Sequence, residues 1–284
     1  MKLRIGIAAA LSALVIVAAQ PAKTIAAAAP AAATAVGVTF ASADHGLTTP
    51  LNGSLYRAPA SGKPAPAIVL LHQCPGIDQY VLDWGAWFAA QGYTALVVDS
   101  LTARKIKPGT CDPAALPAAE RGLDALGGLA FLRTLPDVDK SRVAVVGWAF
   151  GGAAAVAAAT KEETEASRAG GPFRAAIAFY PPCGGRTSSV VLAAPLLMLL
   201  AADATANPTS VCEAAIAQLK SNGQNVDSHT YPKVKDDFDN PAQRLVTFRA
   251  GRGVTGSTAV TRFDVGAADD AHARVAAFLV AQMP

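Results

Sequence analysis

The sequence predicts an α/β fold in which a mostly parallel central sheet carries helices on both faces. Three observations support this class. Short, continuously apolar segments such as AIVLL at residues 67–71 are typical of strands that are covered on both faces. Segments with helical spacing of apolar residues alternate with these runs from residue 67 to the end of the chain. The chain also lacks an internal repeat of about 20–50 residues, which excludes a solenoid.

The predicted elements follow one another with short turns between them. Two short strands at 36–40 and 53–57 come first, joined by a turn-rich loop. Further strands are predicted at 67–71, 93–98, 143–146, 175–180, 196–200 and 228–231, and helices at 81–91, 117–135, 152–160, 210–221 and 269–282. Residues 242–262 show no clear period, and we predict a surface loop there. Every segment after residue 36 fits one sheet, so a single domain is expected at 37–284.

Composition excludes two broad classes of protein. Of the 284 residues, 52% are hydrophobic and only 16% are charged, so the chain has enough apolar surface to fold and is not disordered. The 24 basic and 21 acidic residues leave a net charge of +3, and no stripe of lysines and arginines stands out. We therefore expect no nucleic-acid partner.

The first 19 residues have the pattern of an export signal. Lys2 and Arg4 precede an uncharged apolar run, and the small residues Val17-Ala18-Ala19 suit a cleavage enzyme. The alternative is a membrane anchor, but the run is shorter than the roughly 20 apolar residues of a spanning helix. We predict a signal peptide at 1–19, an Ala/Pro-rich flexible leader at 20–36, and an exported protein, periplasmic or secreted, with no stable membrane span after cleavage.

One motif has the context of a catalytic turn. The strand at 143–146 runs into Gly147-Trp148-Ala149-Phe150-Gly151-Gly152 and then into a helix, as in a nucleophile elbow. The glycines allow a sharp turn, and the amide of Phe150 faces a developing oxyanion. The central residue is Ala149, however, and a methyl group cannot attack a carbonyl. A tight strand-to-helix turn without catalytic chemistry is the alternative.

Seven segments together carry a resemblance to a known family: LLHQCPG (70–76), GYTALVVDS (92–100), GTCD (109–112), VAVVGWAFGG (143–152), AAIAFYPPCG (175–184), PLLMLLAADATANPTSVC (195–212) and YPKVKDDFDNP (231–241). With them the chain resembles the dienelactone hydrolase family of α/β-hydrolases over about residues 36–284, in particular an exported branch with extra cysteines. The resemblance implies the α/β-hydrolase fold. It also implies a Cys or Ser nucleophile, with an Asp and a His, that hydrolyses lactones and small esters without a cofactor.

The catalytic residues of that family do not carry over to this sequence. The nucleophile falls at Ala149. The family acid lies four residues before a proline, here Pro208, so the acid position is Ala204, with Asp203 one residue away. The family histidine closes a Tyr-Pro-x-x-x-His pattern, and that position is Asp236. Replacement at three separated places is typical of natural loss of the hydrolytic function, because the chemistry needs a base within reach of a nucleophile.

An active hydrolase with a relocated nucleophile and histidine is the alternative. Its candidate nucleophiles are Ser210, Thr205 and a reduced Cys74, which lies on the loop expected to supply the second oxyanion donor. The four histidines also have structural interpretations. We expect His72 to brace a loop, His229 to pack in the last core strand, His272 to lie on the solvent face of the final helix, and His45 to lie in an early loop.

Four cysteines in an exported chain suggest disulfides, and the absence of a Cys-x-x-Cys pair argues against a structural zinc site. Three connectivities are possible. The strand order places Cys74 and Cys111 on neighbouring loops, and likewise Cys183 and Cys212. We therefore favour the pairs Cys74–Cys111 and Cys183–Cys212, both at the rim of the former active site.

The predicted oxyanion and pocket residues are Gln73, Cys74, Trp148, Phe150 and Tyr180, although Trp148 is equally well interpreted as a core residue. The run at 233–239 mixes both signs of charge, and we interpret it as a solvated loop and expect no metal there. The sequence thus predicts a non-catalytic or very weak hydrolase homologue that binds a small ester, lactone or other organic ligand. A protein partner, or a stable exported protein without a small-molecule site, are the remaining alternatives.

Overall fold

The computed structural model describes residues 34–167, 169–184, 187–204, 208–243, 246–248 and 259–284. The predicted signal peptide at 1–19, residues 20–33 of the predicted leader, and Thr205 lie outside the described residues. An eight-stranded sheet with helices on both faces dominates the described part. The α/β class predicted from the sequence is therefore confirmed.

The strands and helices alternate along most of the chain. The strands are β1 (Val36–Phe40), β2 (Leu51–Tyr56), β3 (Ala65–Leu71), β4 (Thr94–Asp99), β5 (Val138–Trp148), β6 (Ala175–Phe179), β7 (Leu196–Ala201), β8 (Val226–Tyr231), β9 (Val246–Phe248) and β10 (Ala259–Thr261). The helices are α1 (Gln79–Ala90), α2 (Ala118–Leu132), α3 (Phe150–Ala158), α4 (Lys161–Ser167), α5 (Thr209–Ser221) and α6 (Val265–Gln282).

The order of strands in the main sheet is β1-β2-β4-β3-β5-β6-β7-β8. The pairs β1–β2 and β2–β4 are antiparallel, and every pair from β4 to β8 is parallel. The carboxyl ends of the parallel strands therefore meet at one edge, where ligands bind in sheets of this class. Because β3 and β6 flank β5, the loops that follow these three strands are neighbours.

Side chains alternate between the two faces of the sheet, and each face has its own apolar core. In β3, Val69 and Leu71 join one cluster with residues of α2, α3 and α5, whereas Ile68 and Leu70 join the other with residues of α1 and α6. All five residues of β6 and all six of β7 are buried. This burial explains why these strands are continuously apolar in sequence.

The structure differs from the prediction at several element boundaries. Helix α6 begins at Val265 and not at 269, because the Asp264 side chain caps it by accepting the N–H of Ala267 at 2.9 Å. Strand β5 begins at Val138 and not at 143. Part of the predicted loop at 242–262 forms the antiparallel pair β9–β10. Among the described residues, no helix combines the length and hydropathy needed to cross a bilayer.

Candidate active site

A sharp turn between β5 and α3 has the backbone geometry of a nucleophile elbow. Ala149 lies between Trp148, which ends β5, and Phe150, which begins α3, and it has φ 49° and ψ −117°. This φ lies in the region that favours glycine, so the surrounding structure holds the alanine in a strained conformation. The N–H of Ala149 donates to the carbonyl oxygen of Phe179 at 3.0 Å, which ties the turn to β6.

Two glycines allow this turn because a Cβ at either position would collide with backbone atoms. A Cβ on Gly147 would lie 2.0 Å from the carbonyl oxygen of Gly151. A Cβ on Gly151 would lie 2.1 Å from the carbonyl oxygen of Leu71, the last residue of β3. Helix α3 thus packs directly against the end of β3, beside the loop that carries Gln73. The elbow keeps this close packing although its central side chain is a methyl group.

The predicted acid and base positions lie on the two loops that follow β7 and β8. Ala204 and Ala149 both pack against the same apolar cluster, and the neighbouring Asp203 is exposed. The carbonyl oxygen of Asp236 accepts the N–H of Arg262 at 3.3 Å. Asp236 as a whole residue is partly exposed, but burial of its carboxyl together with the charge of Asp237 raises its pKa to about 7.

His72 is buried beneath the loop after β3 and has a structural environment. Its Nδ1 lies 2.5 Å from the carbonyl oxygen of Gln73, and its Nε2 accepts the N–H of Ser100 at 3.4 Å. The guanidinium of Arg121 donates to the carbonyl oxygen of His72 at 2.5 Å. Burial and the charge of Arg121 lower the pKa of His72 to about 3, so the imidazole is neutral and braces this loop.

The other three histidines lie in different surroundings. His229 on β8 approaches Asp270 at 4.0 Å and packs edge-on against Tyr231. His272 stacks on Trp84 with ring centroids 4.1 Å apart, so its predicted place on the solvent face is wrong. The large indole of Trp84 on α1 reaches across to α6 and covers the imidazole. His45 is exposed. Within the described residues, no histidine nitrogen hydrogen-bonds a hydroxyl or thiol side chain.

All four cysteines form disulfides, in the two pairs expected from the strand order. Cys74–Cys111 and Cys183–Cys212 have Cα–Cα distances of 5.2 and 5.0 Å. The hypothesis of a reduced Cys74 nucleophile is therefore wrong, because its sulfur is bonded. The first bridge holds the loop that carries Gln73.

Ser210, another candidate nucleophile, is exposed and lines a groove of about 520 Å³ together with Cys183 and Gln218.

The predicted pocket residues fall into two groups. Gln73, Cys74 and Phe150 are partly exposed beside the elbow. Trp148 is fully buried within the apolar core, and Tyr180 is buried as well. The described residues hold no group of three or more His, Cys, Asp or Glu arranged to bind a metal ion.

A buried carboxylate network beside the elbow was not predicted. Asp239 accepts hydrogen bonds from the hydroxyl of Tyr80 at 2.5 Å, the hydroxyl of Tyr180 at 2.8 Å and the indole N–H of Trp148 at 3.0 Å. The interpretation of 233–239 as a solvated loop is wrong for Asp237, Phe238 and Asp239, which are all buried. The reason is that α1, β5 and the end of β6 supply donors from distant parts of the chain. The feature of the sequence that could have indicated this burial is Phe238, an aromatic residue between two aspartates.

Asp237 is the second buried carboxyl of this network. Its side chain is 6% exposed, and its φ of 58° is again in the region that favours glycine. Burial first, and then the charge of Asp239, raise its pKa to about 7, while the side chains of Gln73 and Tyr180 oppose the rise by stabilising the carboxylate. Tyr180 after β6 and Asp237 in the loop after β8 have positive φ, as Ala149 at the centre of the elbow does.

The comparisons with known proteins agree with this geometry. Residues 51–282 match the model of the dienelactone hydrolase family. The chain belongs to this family. Membership in the dienelactone hydrolase family accounts for the elbow between β5 and α3 and for the predicted α/β-hydrolase fold, which is confirmed. No curated protein sequence matches the chain.

Two solved structures share the fold of this chain at low sequence identity. A dienelactone hydrolase-like promiscuous phosphotriesterase from metagenomic libraries superposes with a TM-score of 0.66 at 19% identity, over 89% of this chain and 100% of its own. Thermogutta terrifontis esterase 2, in a structure phosphorylated by paraoxon, gives a TM-score of 0.60 at 15% identity, over 88% and 95% of the two chains. At these identities the likeness shows the fold alone.

Proposed function

We propose that this dienelactone hydrolase family member binds a small carbonyl compound, such as an ester or lactone, at the elbow without forming a covalent acyl-enzyme. The observation that carries the proposal is Ala149. It occupies the elbow position with the strained backbone of a nucleophile, yet its side chain is a methyl group. A methyl group has no lone pair with which to attack a carbonyl carbon.

The surroundings of the four histidines support the same conclusion. His72 is neutral and held by backbone atoms, His229 faces Asp270, His272 stacks on Trp84, and His45 is exposed. A serine or cysteine nucleophile needs a base within hydrogen-bond reach. Hydrolysis by a relocated nucleophile and histidine, the alternative from the sequence, has no such pair among the described residues to support it.

The backbone of the elbow and of the first turn of α3 supports the binding of a carbonyl group. Phe150 is the first residue of α3, and the amide groups at a helix N-terminus attract a carbonyl or carboxylate oxygen. Gly147 and Gly151 keep the turn tight, and Cys74–Cys111 braces the facing loop. The two disulfides also support export to the periplasm or the medium, since such bonds persist in oxidising compartments.

Hydrolysis of short p-nitrophenyl esters by the mature protein tests this proposal. We expect background turnover for the native protein, and measurable turnover for the triple variant Ala149→Ser, Ala204→Asp, Asp236→His. Ala153→Ser on α3 is the matched control, because it adds a hydroxyl one turn away from the elbow. Turnover by the native protein, or its covalent labelling by a fluorophosphonate probe, would overturn the proposal.

A further inference from the structure

Strand β8 lies at one end of the main sheet, and among the described residues it pairs with β7 alone. The carbonyl oxygens of Asn225 and Tyr231 each accept an N–H from β7 or the residue that follows it, both at 3.0 Å. Backbone groups alternate in direction along a strand, so the odd-numbered residues of β8 point their N–H and C=O groups toward β7. Val226, Ser228 and Thr230 therefore point theirs away from the sheet.

The side chains of β8 alternate between the two faces of the sheet. Asp227 and His229 lie on the same face as Tyr231, which packs in a cluster with residues of α6. Thr230 lies on the other face, where its hydroxyl donates to Glu213 of α5 at 3.2 Å. Asp227 is exposed and His229 is partly exposed. A carboxylate and an imidazole thus lie two residues apart on one face of this edge.

The imidazole of His229 has hydrogen-bonding capacity that its own chain does not use. Its Nε2 lies 4.0 Å from Asp270, and neither ring nitrogen forms a hydrogen bond within the part of the chain that the structure describes. Asp270 is instead engaged by Arg274. The Asp227 carboxylate accepts the N–H of Ser228 at 2.7 Å, which agrees with an N–H that points away from β7.

A second copy of β8, placed antiparallel across this edge, would bring the two groups together. With the two-fold axis at Ser228, the outward backbone groups of Ser228 pair with their own symmetry mates, and those of Val226 pair with Thr230 of the second copy. The residues between these hydrogen-bonded positions approach most closely, with Cα atoms about 4.5 Å apart. Asp227 then lies directly opposite His229 of the second copy, and the symmetry forms this pair twice.

We propose that this protein forms a two-fold symmetric dimer through β8, so that two main sheets join into one continuous sheet. An unpaired edge is a template for another strand, and a single charge normally prevents such pairing. Here Asp227 is opposed by an imidazole, and an axis moved by one residue, to Asp227 or to His229, would oppose two identical side chains. Strand β1, at the other end of the sheet, has no charged residue and offers no such complementarity. The dimer does not depend on what the elbow binds.

Sedimentation velocity of the purified protein over a concentration series tests the proposal. We expect a dimer that dissociates on dilution. His229→Asp places two carboxylates opposite each other and should raise the dissociation constant by about 10-fold or more. The double variant Asp227→His, His229→Asp exchanges the two partners and should restore the dimer. His45→Asp is the matched control, because it makes the same substitution at an exposed histidine between β1 and β2 and should leave the dissociation constant unchanged.

Ser228→Pro tests the backbone part of the interface. It removes the outward N–H at the axis without removing a hydrogen bond to β7, and proline is accepted in an edge strand at such a position. We expect a folded monomer, with the circular dichroism spectrum of the native protein. Three results would overturn the proposal: a native protein that is monomeric at every concentration up to its solubility limit, a dimer that persists in both Ser228→Pro and His229→Asp, or a charge exchange that fails to restore the dimer in a folded protein.

Discussion

The indole N–H of Trp148 donates to Oδ2 of Asp239 at 3.0 Å and thereby joins the residue before the elbow to the loop after β8. Tyr180, which follows β6, donates to the other oxygen of the same carboxylate. One buried side chain thus holds the ends of two central strands and a loop. The predicted base position, Asp236, lies in the same loop, so these hydrogen bonds tie the elbow to the loop that carries it.

The hydrogen bond from Tyr80 to Asp239 is expected to contribute measurably to stability. Tyr80→Phe removes a donor from a buried carboxylate and should lower the free energy of unfolding by about 2 kcal/mol, as is usual for hydrogen bonds to charged groups. Tyr93→Phe is the control, because Tyr93 is only partly buried, and it should change stability by less than about 0.5 kcal/mol. Urea denaturation measures both, and equal effects would contradict the prediction.

Stability is expected to depend on pH through Asp236 and Asp237. Their pKa values are raised from 3.8 to about 7, so folding favours the protonated forms. Their contribution is fully present below about pH 4 and is lost as the pH rises through about 7. The double variant Asp236→Asn, Asp237→Asn should show a shallower fall of the unfolding free energy between these values.

Urea denaturation across this pH range distinguishes the two carboxyls from the other buried groups. His72 acts in the opposite direction, because burial lowers its pKa to about 3, and it is unchanged in the double variant. The difference between the native and variant curves therefore reports Asp236 and Asp237 together with the charge coupling of Asp237 to Asp239. Parallel curves would show that neither carboxyl is linked to folding.

The elbow should not tolerate a side chain at Gly151. Gly151→Ala places a Cβ 2.1 Å from the carbonyl oxygen of Leu71, so α3 must move away from β3. We expect a loss of about 3 kcal/mol or more, at the upper end of overpacking effects. Gly37→Ala in β1 is the control, since a Cβ there meets nothing within 4 Å. Thermal unfolding should separate the two variants clearly.

Both disulfides should be present in the folded protein and should stabilise it. Thiol titration of the unfolded, unreduced protein is expected to find no free thiol, and reduction should release all 4. The bridge between Cys183 and Cys212 spans 29 residues, so the double alanine variant should lose about 3–4 kcal/mol by the chain-entropy relation. A titratable thiol before reduction would contradict the pairing.

The parts of the fold that follow from local pattern were predictable. Continuous apolar runs identify β3, β6 and β7, because a strand buried on both faces has no polar side. The glycines around Ala149 identify the elbow, because only a residue without a Cβ fits where α3 contacts β3. The disulfide pairs followed from strand order, since neighbouring loops share an edge of the sheet. Boundaries were less predictable, as the cap at Asp264 shows.

The sequence by itself determined the α/β class, the position of the elbow and the methyl group at its centre, because each depends on residues close together in the chain. Only the tertiary structure decided that Asp237 and Asp239 are buried and that His272 stacks on Trp84. The hydrogen bond from Tyr80 to Asp239 joins residues 159 positions apart. A charged run is solvated or buried according to the donors that the rest of the fold brings to it, and no local pattern contains that information.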